Sequence, residues 1–97
     1  MSYANVVASD QRLVILQALE EDADYSHNEH VLRSVLSQFG HSVSRDRLRT
    51  ELNWLSEQGL VSVAETGGIH IAKLTARGED VARGRARVPG VARPRLS

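Results

Sequence analysis

Residues 43–74 read VSRDRLRTELNWLSEQGLVSVAETGGIHIAKL, and the hydrophobic period changes inside this stretch at Gly59. Before it, Leu48, Leu52 and Leu55 recur at i, i+4 and i+7, the spacing of one helical face. Ser44 stands where an N-cap belongs, and Gly59-Leu60 has the glycine-then-apolar form of a Schellman ending. After it, residues 60–65 and 69–74 read as two strands joined around Gly67-Gly68. Burial argues for the register. A three-residue loop, Thr66 to Gly68, pairs Val63 with Ile71 and Glu65 with Ile69, placing Val61, Val63, Ile69 and Ile71 on one face. A two-residue loop would part the valines from the isoleucines, so the three-residue loop is expected.

Upstream, Val31, Leu32, Val35, Leu36 and Phe39 form an apolar stripe two residues wide on a helix that Gly40 is placed to end. Ser26-His27-Asn28-Glu29 precedes it with the S-x-x-E form of a capping box. A first helix is expected from Asp10 to about Asp22, capped by Ser9 or Asp10, with Leu13, Leu16 and Leu19 toward one side. Residues 1–8 read as a lead-in. Downstream, Thr75 caps a fourth helix over about 76–85, weakened by Gly78 and Gly84. Residues 88–97, VPGVARPRLS, have two prolines and no periodicity, so a flexible basic tail is expected after a single domain over 9–87.

A chain of 97 residues has room for one small core, and 41% hydrophobic against 25% charged residues excludes wholesale disorder. The longest aliphatic run, Leu13-Val14-Ile15-Leu16, is far short of the roughly 20 residues that span a bilayer. No secretory signal is read at the start, and a cytoplasmic protein without membrane partners is expected. There is no cysteine, which removes disulfides, thiolate metal sites and cysteine nucleophiles together. The net charge of zero hides a gradient. Residues 1–30 carry one basic and six acidic side chains, residues 31–76 five and four, and residues 77–97 six and two. Either the basic end meets an anionic partner, or the two ends attract each other within the fold.

Val43-Ser44-Arg45-Asp46-Arg47-Leu48-Arg49, then Leu52, Leu55 and Gly59-Leu60-Val61, then Leu74-Thr75-Ala76-Arg77-Gly78, resembles the recognition-helix, wing and post-wing pattern of ArsR- and MarR-type winged-helix regulators. More narrowly, the chain is similar to small ArsR-like proteins of Mu-like prophages. Those share the lead-in around Asp10-Gln11-Arg12-Leu13-Val14-Ile15-Leu16 and the ending Gly84-Arg85-Ala86-Arg87-Val88-Pro89-Gly90-Val91. The resemblance implies a mainly α winged helix-turn-helix domain: three helices, a small β-hairpin and a fourth helix. It does not carry metal sensing across, because the thiolate motif has no counterpart here.

With Leu48, Leu52 and Leu55 turned inward, the rest of the third helix points into solvent or a ligand. Arg45, Arg49 and Asn53 lie one turn apart and suit base edges in a major groove. Ser44, Arg47, Thr50, Lys73, Arg85 and Arg87 are the candidate phosphate contacts, with Arg47 alternatively paired to Glu51 at i+4. A solvated charged face is the other reading of the same helix. The tip Thr66-Gly67-Gly68 has no cation to enter a minor groove, so a homodimer or help from the tail arginines Arg93 and Arg95 would raise affinity. His27 and His30 make half a metal site at best, and no metal or other cofactor is expected. Trp54, beside the leucine stripe, reads as core-edge packing or a dimer contact. No catalytic triad, carboxylate pair or phosphate loop is present in the pattern, and no enzyme is expected. The leading expectation is a phage or prophage regulator or accessory factor that binds duplex DNA. The alternative is a module that docks a phage or host protein assembly without DNA.

Overall fold

Four helices and three strands follow one another as α1 (Tyr3–Glu21), β1 (Ser26–Asn28), α2 (Glu29–Gln38), α3 (Arg45–Glu57), β2 (Val61–Thr66), β3 (Ile69–Leu74) and α4 (Ala76–Ala82). The structure is a computed structural model and describes residues 2–95. It is an α+β domain whose antiparallel sheet has the order β1-β3-β2. Leu16, Leu19, Leu32, Leu36, Leu48, Leu52, Leu55 and Leu60 meet at its centre, each at most 1% exposed. The leucine face of the third helix is therefore buried as its spacing requires. Val31 and Phe39 are not: only Leu32 and Leu36 of that stripe enter the core, and Phe39 is 65% exposed.

Local hydrogen bonds set most boundaries. Ser44 Oγ accepts from the Arg47 amide at 3.0 Å and starts α3, while Thr75 Oγ1 accepts from the Gly78 amide at 3.0 Å and starts α4. Gly59, with φ 75°, ends the turn after α3. Ser2 Oγ accepts from the Asn5 amide, so α1 begins at Tyr3 and takes in most of the expected lead-in. The capping box does not form. Asn28 caps α2 instead, Ser26 belongs to β1, and the Glu29 side chain turns inward.

The hairpin register also differs from expectation. Val61 pairs with Leu74, Val63 with Ala72 and Thr66 with Ile69, which leaves the two-residue turn Gly67-Gly68. Both glycines have positive φ, 58° and 80°, as in a primed turn whose twist matches the flanking strands. This geometry outweighs the burial of all four β-branched residues. Val61, Ala72 and Leu74 enter the core, while Ile69 and Ile71 take the opposite face with β1 alongside Ile71.

Residues 88–95 pack back onto the helices rather than trailing from them. Val88 is 6% exposed, Ala92 N–H donates to Ser9 O at 3.1 Å, and Arg12 donates to Gly90 O at 3.0 Å. The expected tail is thus, over its described length, a strap across α1; Leu96 and Ser97 lie outside the described residues. Arg83 pairs with Glu20 across α4 and α1, so part of the charge gradient is satisfied internally.

Candidate nucleic-acid interface

The core leucines turn Arg45, Asp46, Thr50, Asn53 and Ser56 of α3 outward, and all five are exposed. Thr50 Oγ1 donates back to Asp46 O at 3.1 Å, and the Ser44 hydroxyl is engaged at the cap. Arg45 and Asn53 make no side-chain hydrogen bond or ion pair among the described residues. Their donors and acceptors are open to a ligand.

Arg49 is committed elsewhere. Its Nε and Nη2 donate to Oε1 and Oε2 of Glu29, both at 2.8 Å, and Nη2 also donates to Gly68 O at 2.8 Å. Glu29 Oε2 accepts in addition from the His70 amide at 2.8 Å. Hydrogen bonding by Arg49 holds the Glu29 carboxyl down at about 2, against a burial that raises it. One carboxylate thereby ties the start of α2, the middle of α3 and the hairpin turn together. A guanidinium so occupied fixes the hairpin turn relative to α3.

Arg47 is likewise paired. Its Nε lies 2.9 Å from Glu51 Oε2, and Arg12 Nε lies 2.6 Å from Glu51 Oε1. The Arg12 guanidinium also sits 3.9 Å from the Trp54 ring centroid, so Trp54 serves the seam between α1, α3 and the strap. The expected i+4 pair of Arg47 with Glu51 is present.

The remaining phosphate candidates are dispersed. Lys73 is exposed on β3 opposite Ser26 and Ser62, Arg85 binds Asp80 at 3.0 Å, and Arg87 is exposed beside the strap. His27 is on β1, 3.8 Å from Asp22, and His30 is exposed on α2. Among the described residues, no three metal-ligating side chains come together.

No family model matches the chain. It is 48% identical over 91 residues to the uncharacterized protein gp26 of Escherichia phage Mu, covering 94% of each chain. The chain belongs to the phage Mu gp26 family. An uncharacterized protein of Haemophilus influenzae is 42% identical over 78 residues, 79% of this chain and 76% of its own. Among the described residues, no helix of this gp26-family protein is long and apolar enough to cross a membrane.

Glu29 is the residue at this gp26-family site that sequence reasoning missed. It stood in a plausible capping motif, and nothing in linear spacing reports a partner 20 residues on. A glutamate at the first position of an amphipathic helix, followed by arginines at 45, 47 and 49 in the first turns of the next, is the weak signal that was available.

Proposed function

We propose that this protein is a winged-helix DNA-binding factor of a phage or prophage, with α3 as the helix that enters the major groove and the β2–β3 hairpin as its wing. The carrying observation is the division of labour on α3. Three leucines bury one side, Arg49 is spent on fixing the hairpin turn, and Arg45 and Asn53 stand exposed with free hydrogen-bonding groups. Arg suits guanine O6/N7 and Asn suits adenine N6/N7. The order helix, strand, two helices and hairpin, with β1 added beside β3, supports this reading. Because zero net charge supplies no overall field, attraction to the duplex is local to this face.

Titration of random duplex by mobility shift at low salt tests the reading. Binding at tens of micromolar protein, roughly the non-specific regime, is expected, together with weakening by Arg45→Ala. Absence of any shift would replace this reading with a protein-docking module.

A further inference from the structure

A groove of about 720 Å³ runs between α1, α2 and α4, and none of its lining residues belongs to α3 or the hairpin. Its apolar part includes Ala18, Val35 and Phe39, and the Phe39 ring is left mostly in solvent at the C-cap of α2. Its acidic part is the run Glu20, Glu21 and Asp22 at the end of α1. Arg83 neutralises Glu20. Glu21 is exposed with no partner among the described residues, and Asp22 has only backbone amides and His27 beside it. Those amides hold its carboxyl below the usual carboxylate range, so it remains an anion.

An exposed aromatic beside two carboxylates that no Arg or Lys answers is a half-made contact. We infer that this groove is a docking surface for a basic amphipathic segment of another protein, its apolar side chains covering Val35 and Phe39 and its Lys or Arg side chains meeting Glu21 and Asp22. Both complementarities belong to one occupant. Apolar anchors give affinity in such helix-in-groove contacts, and the rim charges give orientation and on-rate. A nucleic acid does not fit, since its phosphates would face the carboxylates. The surface is independent of α3, so a domain seated on DNA would keep it open.

Fluorescence anisotropy with two labelled helical peptides of equal length tests the inference, one patterned with leucine and lysine, the other with leucine and glutamate. The lysine peptide is expected to bind roughly tenfold or more tightly than the glutamate peptide. Phe39→Ser and Glu21→Lys, both at exposed positions, should each weaken it by roughly tenfold with wild-type melting retained. Amide shift mapping on the wild-type protein should show the lysine peptide moving Ala18, Glu21, Val35 and Phe39. Equal binding of both peptides, or shifts clustered outside the groove, would overturn the inference. So would self-association abolished by Glu21→Lys, which would make a second copy the occupant. No arm of the test involves DNA, so its failure is separate from failure of the DNA reading.

Discussion

The Glu29 carboxylate, wholly removed from solvent, is gripped by both arms of the Arg49 guanidinium at 2.8 Å. Bidentate geometry of this kind is stronger and more directional than a point-charge contact. Because Arg49 also holds Gly68 O, the pair sets where the hairpin turn stands relative to α3.

Acid should therefore loosen the domain through this residue. The folded carboxyl lies at about 2 against an ordinary 4.5, a lowering, so the stabilisation is complete above the ordinary value. It is lost as pH falls from about 4.5 toward about 2. Melting temperatures measured from neutral pH downward should decline across that window, and Glu29→Gln should flatten the decline. At neutral pH the same substitution should cost about 2 kcal/mol, as a charged hydrogen-bond set is left half-made.

Arg45 and Arg49 should separate in paired binding and melting experiments. If α3 reads duplex DNA, Arg45→Ala should cost roughly 1–3 kcal/mol of affinity on a preferred site and leave melting unchanged. Arg49→Lys should lower the melting temperature, because an ammonium cannot reproduce the fork on Glu29. Identical behaviour of the two variants in both assays would refute the assigned roles.

Leu52 is 1% exposed on α3, which packs on α2, α1 and β2. Leu52→Ala should destabilise by about 2–5 kcal/mol in a denaturant titration. A midpoint equal to that of the wild type would contradict this packing.

Gly78 sets two effects against each other. Helix propensity alone would have Gly78→Ala stabilise α4 by about 1 kcal/mol. A Cβ there, however, would stand 2.0 Å from the Leu60 carbonyl oxygen and 2.7 Å from Leu74 Cδ1. Backbone on one side cannot yield, so the overlap wins. A net loss of about 3 kcal/mol is expected on thermal unfolding.

Truncation after Arg87 tests the strap. Exposing the site of Val88 and breaking the Arg12–Gly90 bond should cost about 2–3 kcal/mol. Had residues 88–97 been a free basic arm, the same cut would alter salt-dependent binding and leave stability alone.

Much of this architecture could be read from periodicity. The leucine spacing of α3, the caps at Ser44 and Thr75 and the left-handed Gly59 are local signals, and each acts locally in the fold. β1 was invisible because Ser26-His27-Asn28 is three polar residues whose strand geometry exists only through pairing with β3. The hairpin register went the other way because twist at Gly67-Gly68 outweighed burial of two isoleucines. Candidate readers were identified by side-chain type and helical spacing. Type could not tell Arg45, left free, from Arg49, whose partners lie 20 residues behind and 19 ahead.

The strap also places a condition on biosynthesis. The Arg12 guanidinium donates to Gly90 O across a separation of 78 residues. α1, α2 and α3 can begin to collapse while the chain is still being made, because their leucines lie within its first half or just beyond. The seam of Arg12, Trp54 and Gly90 closes only once Gly90 has emerged from the ribosome. Contacts of such long range form slowly relative to local helices. A nascent chain stalled before Gly90 would present an uncovered α1 flank.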